Sequence, residues 1–480
     1  MCRKSWIVCI LLCCSGFLQA QSQQPWIRVE GKNLVTENGA PFAMRGTNFG
    51  SWLMLEGWIP NLAAEDSEHL IRIARDTNIA KEMREAIKLI GEFDDDATTL
   101  SDYEQKLRAA LANLLSKEQN DRFWQKWRGA PTLRDAHTFW AFLERRFGPD
   151  GARRLYHTFL ANWITETDVR LAKEIGFNFI RLPIWYRILE RDDDPYVYLD
   201  TGWQILDTFL SLCRNHSLYV VLDLHGAPGC QNPWDHSGQV DRNQLWYLSE
   251  YQNRTARLWR AIAQRYRDEP MILGYDLLNE PAGAPTIDAL TQLYDLVYRH
   301  IREVDKRHLI IMEDGFEYEG KMPLPADLGW KQIVYSNHFY ETAADLAGHE
   351  RHAERIAKNA IAWANRYGVP IYFGEFSMMV DSPIALPALD IYLGKLNRAG
   401  MHWSPWTWKR IDDPQEPTTW SVLDYATPWQ RPDMYHDSFE SLQRTFESLH
   451  SKNFTPDARF VAVLKKRLAD PMQRVPDAKN

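Results

Sequence analysis

The sequence predicts an α/β chain folded as a (β/α)8 TIM barrel, with an N-terminal β-hairpin and a large helical insertion after the first barrel strand. Two observations carry this. Eight short, nearly continuous apolar runs alternate with longer amphipathic runs of helical period, as expected of parallel strands buried on both faces. The apolar runs also lead into mostly polar tips: Asn48, Arg181, His225, Asn279 with Glu280, Glu313, His338 with Tyr340, Glu375 and Trp406. A doubly wound open sheet would share the alternation, but no Gly-rich phosphate turn follows the first strand.

Residues 1–22 read as a signal peptide. Arg3 and Lys4 precede the apolar run Trp6–Leu18, polar Gln21-Ser-Gln-Gln24 follows, and Ala20 and Ser22 suit cleavage. That run is short for a membrane span, and no later stretch is long and apolar enough to make one. The expected product is secreted, extracellular or periplasmic. Cys2, Cys9, Cys13 and Cys14 leave with the leader, and whether Cys213 and Cys230 pair is not decided by sequence.

Residues 23–450 form the expected catalytic barrel. Trp26–Phe42 carries apolar pairs around an Asn38-Gly39 turn, a hairpin signal. Strands are expected at Phe42–Asn48, Phe177–Pro183, Leu218–Leu224, Met271–Asn279, His308–Glu313, Ile333–Asn337, Pro370–Gly374 and His402–Trp408. Helical patterns separate them at Gly202–Asn215, Asn243–Arg267, Ala284–Val304, Arg351–Tyr367 and Ala385–Ala399. The insertion covers about 61–162, with helical spacing over Glu82–Ile90, Asp102–Leu115 and Arg134–Phe147. Thr165-Glu-Thr-Asp168 is a capping-box start, with Ile164 and Val169 as its hydrophobic staple. Asp94–Asp96 and Asp192–Asp194 read as solvated loops. Residues 451–480 read as a C-terminal tail without identifiable chemistry.

Composition excludes some functions. A net charge of -8 without a basic cluster argues against nucleic acid as a partner. The 20 tryptophans offer rigid apolar faces suited to stacking on sugar rings as well as to filling a core. No H-x-H pair sits on an early strand, where the residues read Asp223-Leu-His225, so neither a metal nor another cofactor is expected. Oligomeric state leaves no trace in the sequence.

The stretch MILGYDLLNEP ends an apolar run on Glu280, and a carboxylate there must be paired, neutralised or used. Pro281 is expected to hold Glu280 extended at the rim. The same grammar recurs in VPIYFGEFS, where Gly374 precedes Glu375. Two carboxyls facing each other across a barrel mouth are the minimal equipment for cleaving a glycosidic bond. Arg181 is expected to hold Glu375 ionised, while apolar packing and Asn279 support the acid form of Glu280.

Seven segments then match a family in order: RGTNFGSWLMLEGWI (45–59), NWITETDVRLAKEIGFNFIRLPI (162–184), VVLDLHGAPGCQNPWDHSG (220–238), GYDLLNEP (274–281), NHFY (337–340), YFGEFS (372–377) and PWTWK (405–409). Through them the chain resembles glycoside hydrolase family 5, within it the exo-β-1,3-glucanase-like branch. The resemblance implies retaining hydrolysis of β-glucans or β-glucosides, with Glu280 as acid/base and Glu375 as nucleophile. It places Arg181, His225, Asn279, His338, Tyr340 and Trp406 around the reacting sugar. Glu56 and Asp235 match carboxylates that grip the terminal sugar, and Trp234 and Trp408 complete the substrate-binding set. Exo-β-1,3-glucanase leads, ahead of β-1,4-endoglucanase, β-1,6-glucanase and glucosylceramide-type glucosidase. A non-catalytic carbohydrate-binding barrel is the alternative class. The branch reads SQNGFDNSG where this chain has CQNPWDHSG, so Trp234 replaces a Phe of a sugar clamp and His236 an Asn. Glu341-Thr-Ala343 lacks that clamp's aromatic partner.

Overall fold

The computed structural model describes residues 24–62, 73–75, 77–91, 100–129, 133–380, 382–411 and 420–477. The expected signal peptide and Asp94–Asp96 lie outside the described residues. Eight parallel strands form one sheet: β4 (Gly46–Asn48), β5 (Phe179–Trp185), β6 (Tyr219–Gly226), β7 (Ile272–Asp276), β8 (Leu309–Glu313), β9 (Ile333–Glu341), β10 (Ile371–Met378) and β11 (His402–Trp403). A bridge between Arg45 and Trp403, with Trp403 N–H donating to the Met44 carbonyl, closes the sheet into a barrel. The eight expected strands are all present. β7 is shorter than expected at its C-terminal end, whereas β9 and β10 run farther.

Below the barrel, the expected hairpin is a three-stranded meander of β1 (Ile27–Glu30), β2 (Asn33–Thr36) and β3 (Pro41–Phe42), all antiparallel. The Asn38-Gly39 turn joins β2 to β3, and a second turn at Gly31-Lys32 joins β1 to β2. Ile27, Leu34 and Met44 pack with the inward residues Phe179, Tyr219, Val221, Leu273, Leu309, Ile311, Val334 and Tyr372. One end of the barrel is thereby an apolar plug. Because side chains alternate along a strand, Phe179 is followed inward by Arg181, Val221 by Asp223 and His225, and Val334 by Ser336, His338 and Tyr340. Along these three strands the inner face therefore turns from apolar to polar.

The insertion has two parts. Helices Ala80–Ile90, Leu100–Ala112 and Lys117–Gly129 share a small core of their own, including Met83, Leu107, Leu111, Phe123 and Trp124. Helical density continues over Ala136–Trp163, capped by Asp135 and kinked at Gly148 (φ 72) before Pro149. That kink is where the helical pattern read from sequence stops. Phe139, Phe142, Leu155, Phe159 and Trp163 bury this pair in the main core. The Thr165 capping box forms with Asp168, and Ile164 and Val169 are buried beside it. The C-terminal residues are no loose tail: Phe454–Pro456 pairs with Leu423–Tyr425, and helix Ala458–Leu468 packs on helix Ser382–Ala399. Arg45 donates to the Asp470 and Leu468 carbonyls, fixing this segment to the barrel. Cys213 and Cys230 are both buried and unpaired. No described helix is long and apolar enough to cross a membrane.

Trp408 departs from expectation. It is fully buried, packed against the rings of Phe49 and Phe177, and its indole donates to Asp168 at 2.9 Å. It is a core residue and not a substrate contact, because the chain leaves the sheet after Trp403 and strand alternation no longer governs which way it points. Trp408→Ala is expected to lower the unfolding free energy by ~3–5 kcal/mol, the range for emptying a large aromatic site. Urea midpoints of the two proteins would show it, and an unchanged midpoint would refute the core assignment.

Candidate active site

At the polar end of the barrel, one cation organises the floor. Arg181 is fully buried and donates from Nη1 to Glu375 Oε1 (2.5 Å) and Asn48 Oδ1 (3.2 Å). Its Nε donates to Asp276 Oδ2 (2.9 Å), and its Nη2 to Asn279 Oδ1 (2.9 Å) and Glu313 Oε1 (3.0 Å). Asp223 Oδ2 lies 3.2 Å from the same Nη2. Burial alone would lower the Arg181 pKa, but four carboxylates outweigh it and hold it well above the ordinary value. Arg181 therefore positions the floor and does not line the cavity.

Glu375 is reached by Arg181 from below and by the Tyr340 hydroxyl, which donates to Oε2 at 2.8 Å. It sits just past a register shift in β10. Gly374 makes that shift possible, since a Cβ there would stand 2.8 Å from His338 Nε2 and 2.9 Å from Ser336 Oγ. The sequence grammar of Gly followed by Glu thus has a steric cause.

Glu280 is held differently from expectation. Its φ of 44° is left-handed, not extended. The peptide is fixed from both sides: Glu280 N–H donates to Glu313 Oε2 (2.7 Å), and Asn232 Nδ2 donates to the Glu280 carbonyl (2.9 Å). Asn279 faces Arg181 and does not support the Glu280 carboxyl. Instead His338 Nδ1 donates to Glu280 Oε1 at 2.8 Å, and His236 Nε2 stands 3.1 Å from Oε2. Burial pushes Glu280 upward, but His236 and then His338 outweigh it and hold the carboxyl below the usual range. His338 in turn is held well above its ordinary value, against burial, by Glu313, Glu375 and Glu280. Its Nε2 lies 3.2 Å from Glu313 Oε1 and its Nδ1 3.7 Å from Glu375 Oε2. His338 is buried behind both glutamates, a bridge between them.

One oxygen of Glu280 and one of Glu375 lie within 4.8 Å of each other, and both residues line a cavity of about 930 Å³. Glu56, His225, Trp234, Asp235, Asn279, Tyr340 and Trp406 line it too, so most of the expected substrate-binding set converges here. His225 is stacked on Trp406, with centroids 5.5 Å apart and planes 6° from parallel, and its Nδ1 is 2.7 Å from Asp223 Oδ2. Trp58, His236, Phe316, Met379 and Trp420 are further wall residues to which the sequence assigned no role. Trp234 meets Phe316 edge-to-face at 6.3 Å, which supplies from another loop the aromatic partner missing after Tyr340. A carboxylate pair over such a cavity can act on a bond held between its two members, and the aromatic walls suit sugar rings.

The model of the cellulase family (glycosyl hydrolase family 5) matches residues 148–411. The chain belongs to glycosyl hydrolase family 5. As a family 5 glycoside hydrolase it is 26% identical over 417 residues to a beta-xylosidase of Phanerodontia chrysosporium, covering 80% of this chain and 71% of that protein. It is 31% identical over 236 residues to a glucan 1,3-beta-glucosidase of Candida oleophila, covering 46% of this chain and 54% of that protein. The chain thus spans about half the length of that glucosidase. Among solved structures it is similar to the rutinosidase of Aspergillus niger, with a TM-score of 0.51, 14% identity, and coverage of 79% of this chain and 93% of that one. The last similarity concerns fold alone.

Two outcomes follow for this hydrolase. Arg181→Met leaves the buried Glu375 carboxylate and the acid groups around it without their cation, so a loss of at least ~3–5 kcal/mol is expected at pH 7. The loss should shrink as acid protonates Asp223, whose carboxyl burial already raises to about 7, and urea unfolding at pH 7 and pH 5 would reveal an opposite trend. His225 is buried neutral: burial, opposed by Glu375, lowers its pKa to about 3. A depressed folded-state value means stability fully present above the unfolded value and lost as pH falls toward the folded one. Between pH 6.5 and 3 this group should therefore destabilise the fold by up to ~1.4 kcal/mol per pH unit. His225→Gln should flatten that part of the stability profile, and an unchanged slope would refute it.

Proposed function

We propose that the protein is a retaining β-glycosidase acting on β-glucans or β-glucosides, with Glu375 as nucleophile and Glu280 as acid/base. The observation that carries this is the nearness of the two carboxylates, one oxygen of each lying within 4.8 Å of one of the other. Retaining enzymes hold their carboxyls about 5–5.5 Å apart, whereas inverting ones leave about 6.5–9.5 Å for a water. The Glu375 carboxylate attacks the anomeric carbon as the C–O bond to the leaving group breaks, and Glu280 protonates the leaving oxygen. Water then attacks the glycosyl–Glu375 ester, giving a proton to Glu280 and freeing Glu375.

Tyr340 and Arg181 fix the two Glu375 oxygens, so nucleophile geometry is set before substrate arrives. Asn279 and Trp406 on the wall suit a sugar hydroxyl and a ring face. Glu56 suits a terminal hydroxyl: its Oε1 is buried without a hydrogen-bond partner among the described residues. Burial and then Asp235 hold its carboxyl well above the usual range. An exo-acting β-1,3-glucanase is the leading reading, supported by these wall carboxylates and by the likeness to glucan 1,3-beta-glucosidases. Action on β-xylosides is a second reading, favoured by the xylosidase-like match over 80% of the chain. Secretion is part of the proposal and rests on the apolar leader.

The test is hydrolysis of aryl β-glucoside and β-xyloside, followed by laminarin, cellulose and pustulan with sizing of the products. Proton NMR should show the β-anomer forming first, and a 2-fluoro glycoside should label Glu375. Glu280→Gln and Glu375→Gln should each lower kcat/KM on a polysaccharide by ~10²–10⁴-fold or more. First appearance of the α-anomer, or full activity in either variant, would overturn the mechanism.

A further inference from the structure

Glu280 is clamped as an anion between two imidazoles, yet the proposed reaction needs it to deliver a proton. The proton must come from a neighbour, and two candidates touch it. His338 also faces Glu313 and Glu375, so its charge is tied to three carboxylates. His236 is placed differently. It lies on the cavity wall, in the short turn Asp235–Ser237, and its Nε2 stands 3.1 Å from Glu280 Oε2 and 3.0 Å from Asn232 Nδ2.

We propose that His236 is the proton partner of Glu280, a positioning residue that supplies and takes back the proton Glu280 exchanges with substrate and water; this rests on Glu280 being the acid/base. The placement of Nε2 between an acceptor and a donor is the reason. Carrying its proton, Nε2 donates to Glu280 Oε2. After losing it, the bare nitrogen accepts from the Asn232 amide, whose other N–H already holds the Glu280 carbonyl. His236 Nε2 therefore has a hydrogen-bond partner in both of its protonation states. Asn232 cannot swing away, because its Oδ1 accepts from Trp234 N–H at 3.0 Å.

In the first half-reaction the proton on His236 Nε2 passes to Glu280 Oε2 as Glu280 protonates the leaving oxygen. Glu280 ends as a carboxylate and His236 as a neutral imidazole. In the second half the attacking water loses a proton to Glu280, and it returns to His236 Nε2. No net proton is gained or lost by the pair. Other groups facing His236 are Asp235, with Oδ1 3.8 Å from Nδ1, Glu56 across the cavity, and the His225 ring with its centroid 5.8 Å away. Burial would lower the His236 pKa, but Glu280, Asp235 and Glu56 outweigh it and raise it to about 10. The pair thus keeps one transferable proton well above neutral pH, and the alkaline limb of activity belongs to the pair and not to Glu280 alone.

The experiment compares the full-length protein with His236→Asn, which keeps a side chain able to donate a hydrogen bond. In the wild type, the alkaline limb of kcat/KM on an unactivated glucoside should persist above pH 8. In His236→Asn it should move down by at least one pH unit, with kcat falling more than KM changes. A dinitrophenyl glycoside, whose leaving group needs no proton, should show a much smaller effect in the first half-reaction. Superposable pH profiles would overturn the proposal. A second readout is independent of turnover: the ring of His236 in histidine-labelled protein, assigned by its absence in His236→Asn. It should stay protonated past pH 8 in the wild type and titrate at least one unit lower in Glu280→Gln. Titration near the ordinary imidazole value in both would overturn the pairing even in a protein that hydrolyses none of the glycosides tried, whereas failure of every glycoside with the pairing intact would sink only the hydrolase substrate reading.

Discussion

Everything at the polar end of the barrel depends on one buried guanidinium. Arg181 contacts residues from β4, β6, β8 and β10 and from both ends of the β7 tip, so its fork sets the spacing of the whole floor. Magnitudes decide how the floor is charged. A pair of unit charges 4 Å apart is worth about 4 kcal/mol at an effective dielectric of 20, and desolvating each ion costs several kcal/mol. One cation therefore cannot hold four anions. The cluster responds by retaining protons: burial, against the pull of Arg181, raises Asp223 to about 7 and Asp276 well above its ordinary value. Glu375 takes the shortest of the Arg181 contacts. The cluster is thus a device for fixing one carboxylate, with Asp223 and Asp276 neutralised enough to be tolerated.

The same floor explains why the barrel needs an apolar plug beneath it. The charged layer is excluded from water on its lower side by Tyr219, Leu309, Ile311 and Tyr372, which also carry the packing that holds the strands in register. Above it, aromatic walls bound the cavity. Trp406 is backed by His225, Trp420 by Tyr340, and Trp234 by Phe316. A sugar in this space meets ring faces at the sides and oriented polar groups below, which fits a ligand that is apolar on its ring faces and polar at its edges.

Most of this was legible in the sequence because of strand periodicity. Residues two apart share a face, so an apolar strand with a polar tip announces where its chemistry lies, and Arg181, His225, Asn279, Glu280, His338, Tyr340 and Glu375 all converge as read. Asp223 obeys the same period but was masked by the apolar residues beside it, whereas Asp276 faces inward out of step with Leu273, past a register irregularity between β6 and β7. Phe316, Trp58 and Trp420 come from loops, where no period links a residue to a face. Trp406 and Trp408 have the same parity, yet one lines the cavity and the other fills the core, since β11 has already ended at Trp403. The left-handed backbone of Glu280 was illegible for a similar reason: it is imposed by Glu313 and Asn232, both distant in sequence, against the local preference before a proline.

The two glutamates are supported in opposite ways, and their proposed tasks require it. A nucleophile should keep its charge and position throughout, so it is best held by a cation that cannot give up its proton. An acid/base must change charge twice per cycle, and a guanidinium beside it would oppose every protonation. Imidazoles answer that need, because they can carry or release a proton near neutral pH. Glu375 has the arginine and Glu280 has two histidines. Of these, His338 is tied to the glutamates and to Glu313 together, so its charge serves the whole floor. His236 has Glu280 on one side and the Asn232 amide on the other, which leaves it free to alternate. An asparagine at position 236 could hold Glu280 in place but could not store its proton. The histidine adds a proton reservoir exactly one hydrogen bond from the group that spends it.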